Sequence, residues 1–358
     1  MATRSGRRAG GPTVDERRYA VRTTPARGAL ALAAALTLSL SACGGSGAAA
    51  GGEDETILRL ALNQAEGHPS YVALDNFSQR LEERTDGRLL LDVYANETLG
   101  AQAEALQLVS DDIIALAIVS GTQLENLNRD FLVFNMPRVF DDVEHQLTVV
   151  NDPAIVGDLY TSLEDSENFT VLGGFTQGSR HIYAAEPVTE PADMGGLRIR
   201  VQESPLHIAM INAMGGSATP MAYGEVYTAM QSGVLDGAEN NEVSYVTQKH
   251  FEVARHLSET NHLVGLDYLI INSGTLGQMS EQDREVFLEE WEAAYLEHAE
   301  LWEEATAQAR ADALAGGAQV HEVDDAAFDQ ALEPLQERFL TTPVQQALFD
   351  AARAAAGE

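Results

Sequence analysis

An α/β fold is expected of this 358-residue chain on three patterns. Apolar runs of strand length alternate with amphipathic helical stretches between residues 57 and 119, a second strand-and-helix pair repeats the pattern at 197–214, and Ser280 opens a helical stretch that continues to Gly316. Strand, helix, strand in succession implies parallel pairing through right-handed crossovers.

The first strand covers residues 57–62, with Ile57, Arg59 and Ala61 on one face and Leu58, Leu60 and Leu62 on the other. Residues 69–84 form a helix whose Leu74, Phe77 and Leu81 share a face, and Asp86-Gly87 turns it into a second strand, 89–94. A short helix at 101–109 leads to an apolar third strand, 113–119. Helical stretches near 144–150 and 155–164 precede strands at 169–173 and 181–183. In 197–201, Leu197, Ile199 and Val201 alternate with Arg198 and Arg200, which sets the two arginines together on the opposite face. Ser204-Pro205 then caps and opens a helix in which Leu206, Ala209, Met210, Ala213 and Met214 recur at helical spacing before Gly215-Gly216. A short helix carrying Val226, Tyr227 and Met230 ends at Gly233, and 234–237 is expected to form a strand and turn. That leaves residues 236–241, DGAENN, as a polar cluster at the strand's carboxyl end, where open α/β sheets bind ligands.

Ser280 caps the longest helix, with Asp283 in place of the usual capping-box glutamate. Phe287, Trp291, Ala294, Tyr295, His298, Trp302 and Ala305 recur mostly every three or four residues along it. At 1.5 Å per residue it runs to roughly 50 Å, longer than one small domain is wide. Its aromatic seam lacks the heptads of Leu or Ile that a coiled coil needs, so the helix is expected to bridge two lobes.

The formal net charge of −33 argues against nucleic acid as a partner and for solubility in a salty or crowded exterior. The first 42 residues depart from this balance, carrying seven Arg against Asp15 and Glu16. They read as a targeting segment: arginines to Arg27, an apolar run at 29–40 too short for a spanning helix, then Leu40-Ser41-Ala42-Cys43. That tetrapeptide resembles the lipobox of bacterial lipoproteins, which implies cleavage after residue 42 and lipidation of Cys43, the one cysteine in the chain. Residues 43–55, rich in Gly, Ala and acid, read as a flexible tether.

The runs GLRIRV, TPMAYGEVYTAMQ and DGAENN resemble the substrate-binding proteins of tripartite ATP-independent periplasmic (TRAP) transporters, the DctP-like group. Residues 63–69, the YANETLG run ending at Gly100, VFNMPRVF ending at Phe140 and GSRH ending at His181 match in the same order. The resemblance implies a periplasmic-binding-protein-like fold of two α/β lobes around a ligand cleft, with the long helix backing both. The lobes are expected at 56–178 plus 267–303 and at 179–266 plus 304–358. It also implies a receptor for an organic acid anion that hands its ligand to a membrane permease of small and large subunits driven by an ion gradient, with no cofactor, no metal and no catalysis.

Residue by residue, the resemblance places Arg200 on the arginine that forms a two-pronged salt bridge to the ligand carboxylate, a role suited to a planar guanidinium that stays protonated. Arg198 is then expected to be solvated or ion-paired. Arg180 matches a second family arginine, Asn240 an asparagine that bonds the carboxylate, and Tyr223 an aromatic against the ligand's carbon skeleton. Asn241 in place of the commoner proline, and Gln202 after Val201, resemble the subgroup that binds sugar acids. Glu239 joins this group. The other lobe is expected to contribute Asn63 and Gln64 after the first strand and Ser120 to Gln123 after the third. Tyr245, Glu242 and Asp267 are candidates for reading hydroxyls, and His68 either for a ligand contact or for capping the helix it precedes.

The favoured ligand is a monocarboxylated sugar acid such as a hexuronate or aldonate; a C4-dicarboxylate or 2-oxo acid is the alternative, because Arg180 and Arg200 together offer two carboxylate sites. An enzyme acting on sugar acids is the rival class, and a ligand-free adhesion or sensory module the third. The sequence holds no Gly-x-Ser-x-Gly elbow, no phosphate loop, and no zinc-spaced cluster: His250, His256 and His262 stand six apart, off a common helical face.

Overall fold

The computed structural model describes residues 55–356; the targeting segment, Cys43 and the rest of the tether before Glu55 lie outside the described residues. In chain order the structure begins with β1 (Thr56–Ala61), α1 (Pro69–Arg84), β2 (Leu89–Tyr94), α2 (Gln102–Ser110), β3 (Leu116–Ser120) and α3 (Gly121–Glu125). Helices α4 (Val143–Val150), α5 (Pro153–Tyr160) and α6 (Glu164–Glu167) lead to β4 (Phe169–Ala184). Next come β5 (Arg198–Val201), α7 (Pro205–Ala213), β6 (Ser217–Pro220), α8 (Val226–Gln231), β7 (Gly237–Asn240), α9 (Glu242–Thr247) and β8 (His256–Asn272). The chain closes with α10 (Ser273–Gln278), α11 (Glu281–Ala315), β9 (Gln319–His321), α12 (Asp325–Leu332), α13 (Pro334–Phe339) and α14 (Pro343–Ala354).

Among the described residues the strands form one sheet in the order β2-β1-β3-β8-β4-β7-β5-β6, with β9 beside β8. β1, β2 and β3 pair in parallel, as the alternating pattern predicts, and so do β5, β6 and β7. The two parallel groups are joined by the long antiparallel pair β4 and β8. β3 pairs with the carboxyl half of β8, from Asp267 to Ile271, while β7 pairs with the carboxyl half of β4, from His181 to Ala184. Between these two zones β4 and β8 shift register, at Thr176/Ser179 and Arg180/Ile182. Each shift adds twist and bends the strand. The sheet therefore has two halves that share only two strands.

Helix α11 spans those halves. Ser280 Oγ accepts from the Asp283 N–H at 3.0 Å and donates to its carboxylate at 2.8 Å, so aspartate completes the cap from within the first turn. Phe287 and Trp291 pack with Leu58, Leu60, Phe77 and Leu81 under the first half, while Ala313 packs with Tyr183, Val226, Met230 and Tyr245 in the second. Trp291 also donates to the Leu172 carbonyl at 2.7 Å and lies edge-on to Phe77. Charge fixes the register of α1 on α11: Glu290 takes both Arg80 and Arg84 at 2.7 Å.

Four expectations are corrected. β4 is one 16-residue strand rather than two, because Gly173 (φ 124°) and Gly178 (φ 58°) make bulges, not breaks. β3 starts at Leu116, three residues late, since Asp112 (φ 57°) turns the chain and leaves Ile113 exposed. The strand expected at 234–237 begins only at Gly237 and runs through Asn240, so the middle of DGAENN is itself the strand. A Cβ at Gly237 would run into the Tyr183 carbonyl, so only glycine lets β7 lie this close to β4. β8 falls outside the elements expected above, because Ser258, Thr260, Asn261 and His262 interrupt its apolar pattern.

Because Trp291 fills the junction of α1, α11 and β4, Trp291→Ala is expected to lower unfolding free energy by about 3–5 kcal/mol in urea titration; a loss under about 1 kcal/mol would contradict its placement at the core of the helix–sheet contact.

Candidate functional site

A cleft is walled by Gln177 and Arg180 of β4, Asp267 of β8, and loops from both halves of the sheet. It lies at the register shifts, where two bent strands leave room between the parallel groups.

Arg200 is the cationic wall of this cleft. It is only 4% exposed, Nε and Nη2 both donate to the Met221 carbonyl (2.9 and 2.7 Å), and Nη1 has no hydrogen-bond partner among the described residues. The Tyr223 ring lies 5.8 Å from its Cζ. Burial pulls the Arg200 pKa down from the ordinary arginine value, and the negative charge of Glu239 offsets part of that. A guanidinium still keeps its proton at neutral pH, so the cleft holds a desolvated positive charge that forms no ion pair among the described residues.

Arg180 differs. Its Nε donates to Glu239 Oε2 at 2.5 Å, Nη2 to Glu239 Oε1 at 2.8 Å and to the Glu239 carbonyl at 2.9 Å, and Nη1 to Asn240 Oδ1 at 2.9 Å. Burial would raise the Glu239 pKa, but Arg180, joined by His207 and His262 at 3.6 and 3.5 Å, outweighs it and holds the carboxyl well below the usual range. This paired charge is what allows a strand as polar as β7 to be buried throughout. Asn240 Oδ1 is committed to Arg180 and to the Asn241 amides, which leaves Nδ2 on the cleft side without a partner among the described residues.

The opposite wall is made of amides. Asn63 and Gln64 follow β1, and Gln102 opens α2 with its Oε1 accepting from the Ser120 N–H at 3.0 Å. Asn63 Oδ1, Gln64 Oε1 and Gln102 Nε2 are all buried without a hydrogen-bond partner among the described residues, as is Glu97 Oε1 in the loop after β2. Such orphans each cost roughly 1–3 kcal/mol when nothing fills their need. The wall is thus arranged for a polar guest with several donors and acceptors.

Of the residues singled out from sequence, Arg200, Arg180, Asn240, Tyr223, Asn63, Gln64, Gln202, Gln123 and Asp267 all line the cleft. Ser120, Glu239 and Asn241 stand behind it: Ser120 orients Gln102 and caps α3, Glu239 neutralises Arg180, and Asn241 caps α9 through Ser244. Arg198 points out of the sheet's buried face to pair with Asp236 at 2.8 Å. His68 caps α1, its Nδ1 accepting from Ser70 N, while Glu242 meets His181 and Tyr245 donates to the Ala254 carbonyl. Glu97, Gln102 and Gln177 line the cleft without having been singled out. The rule that found Asn63, a polar residue just past a strand end, reaches Glu97 as well; Gln177 carries no such signal, since it sits inside a strand that reads as broken.

The chain matches the family model of bacterial extracellular solute-binding protein family 7, DctP, over residues 60–342. A solute-binding protein of Chromohalobacter salexigens is 34% identical over 275 residues, which cover 76% of this chain and 81% of that protein. Among solved structures, a TRAP periplasmic solute-binding protein of Anaerococcus prevotii with bound D-glucuronate superposes with a TM-score of 0.82 at 34% identity, covering 84% of this chain and 98% of the other. One from Xanthobacter autotrophicus with bound β-D-galacturonate gives 0.79 at 27% identity, covering 83% and 99%. Two parallel groups of strands around a polar cleft, one long helix behind both, and a match over most of the chain lead to one conclusion: this chain belongs to the DctP family of TRAP-transporter solute-binding proteins, bacterial extracellular solute-binding protein family 7.

Proposed function

We propose that this protein is a non-enzymatic receptor that captures a hexuronate outside the cytoplasm, anchors its carboxylate on Arg200, and delivers it to a two-subunit TRAP permease. The observation that carries the reading is the buried Arg200 guanidinium, which lines the cleft and forms no ion pair among the described residues. An anion that supplies the missing charge gains a desolvated, planar pairing. Asn240 Nδ2 stands ready as a further donor to the same anion. The orphaned amides opposite favour a ligand rich in hydroxyls, and the relatives solved with D-glucuronate and β-D-galacturonate point the same way.

One carboxylate fits better than two. Arg180, the second cation a C4-dicarboxylate would need, is consumed by Glu239. The two lobes, 56–178 plus 267–303 and 179–266 plus 304–358, close by bending at the register shifts of β4 and β8, and ligand shifts the balance through its preference for the closed form. Lipid at Cys43 tethers the receptor to the membrane that holds the permease.

Asp267 adds a pH dependence to the protein's stability. It is buried and its carboxylate accepts no hydrogen bond from a described residue; burial, moderated by Arg180, pushes its pKa up to about 7. A carboxyl whose pKa is higher folded than unfolded binds its proton more tightly in the native state, so its contribution is full below about pH 4 and is lost as pH rises toward 7. Two outcomes follow. Asp267→Asn is expected to melt a few degrees above the wild type at pH 8 and level with it at pH 4; equal midpoints at both would show that Asp267 titrates normally. In calorimetric titration with D-glucuronate, Arg200→Ala is expected to weaken binding by about 2–5 kcal/mol, roughly 30-fold to several thousand-fold, and Arg198→Ala to leave it unchanged. Equal losses in both variants would sink the anchor.

A further inference from the structure

Glu97 joins the two edges of the sheet. It follows β2, one edge strand, and its Oε2 accepts from the Gly224 N–H at 3.2 Å, in the loop after β6, the other edge strand. A Cβ at Gly224 would stand 2.5 Å from that oxygen, so the contact depends on glycine. Asn96 and Glu97 are both held in the left-handed region, φ 56° and 54°, where non-glycine residues are strained. Backbone strain of this kind persists where the surroundings fix it, and it clusters at ligand clamps.

The second oxygen, Oε1, is buried without a hydrogen-bond partner, on a residue that shares the cleft with Arg200 and Tyr223. A buried carboxylate oxygen with no donor is among the costlier groups to leave unmet. Burial pushes the Glu97 pKa up from the ordinary carboxylate value; the Gly224 N–H and Arg200 favour its ionised form, and Glu225 and Glu104 oppose it. No described residue supplies the donor that Oε1 lacks.

We propose that Glu97 sets the cleft's specificity: Oε2 holds the Gly224 loop, while Oε1 accepts a hydrogen bond from a hydroxyl of a ligand whose carboxylate sits on Arg200, and the same charge turns away a second carboxylate. The proposal rests on Arg200 as the carboxylate anchor. It also separates two ligands that the anchor alone does not, a hexuronate and the hexarate with a carboxylate at each end. In Glu97→Gln the group facing Gly224 can stay an acceptor, while the side chain loses its charge.

The test is calorimetric titration of D-glucuronate and D-glucarate into the wild type, Glu97→Gln and Glu97→Ala, with ligand-free melting midpoints to confirm that each variant is folded. The wild type is expected to prefer glucuronate. Both variants are expected to lose roughly tenfold or more in glucuronate affinity, the worth of one charged hydrogen bond, while the glucarate-to-glucuronate affinity ratio rises by at least about as much. Parallel losses for the two acids would mark Glu97 as a loop brace only and overturn the proposal, as would a wild type that takes both acids equally. A wild type that binds neither acid would overturn the Arg200 anchor and Glu97's role with it.

Discussion

A positive charge out of water that forms no ion pair among the described residues is the constraint around which this protein is built. Two buried arginines face the same cleft, and the fold treats them in opposite ways. Arg180 is neutralised by Glu239 through a fork of hydrogen bonds, with two histidines behind the carboxylate. Arg200 is given a backbone carbonyl and the face of a tyrosine, which orient it without cancelling its charge. Burying a guanidinium this way costs the empty protein stability, and a matching anion recovers it. With a strongly acidic exterior and physiological salt limiting electrostatic reach to about 8 Å, capture depends on such a short-range, desolvated contact.

The sheet sets the cleft between two groups of strands. Each half has its own parallel group, β4 and β8 are the strands they share, and one apolar cluster that includes Val119, Ile182, Ile199 and Val201 continues from one half into the other. The register shifts of β4 and β8 fall beside Gln177, Arg180 and Asp267, so the residues at the cleft floor are also those where the strands bend. Other contacts meet over the top. Ser204, which caps α7, donates to Glu125, itself braced by Asn135, while the Asn126 amide reaches the Glu203 carbonyl at 2.9 Å. Helix α11 runs behind both cores as a spine, its first half bound to α1 by charge and its last turns packed on the second core.

Periodicity made much of this legible. β2 and the limits of α11 were readable because apolar spacing and caps agree there, and Ser204 was readable as a cap because its side chain does what its position implies. β7 and β8 were hidden for a single reason: their polar side chains are satisfied by partners far away in sequence. Glu239 is buried because Arg180 pairs with it, and no local pattern records a bond across 59 residues. The glycines of β4 suggested a break where the sheet uses bulges. Within the cleft, Arg200 and Asn240 came from motif resemblance and Glu97 was within reach of the strand-end rule, whereas Gln177 sits inside a strand whose glycines hid its continuity.

The most direct test of the central claim compares D-glucuronate with D-glucuronamide, which keeps every ring hydroxyl and the shape of the acid but lacks its charge, by calorimetric titration at pH 8. The account predicts measurable binding of the acid and a loss of roughly 30-fold or more for the amide, the worth of a desolvated charge pair. Equal affinities would mean that Arg200 does not anchor a carboxylate and that the cleft recognises the sugar alone.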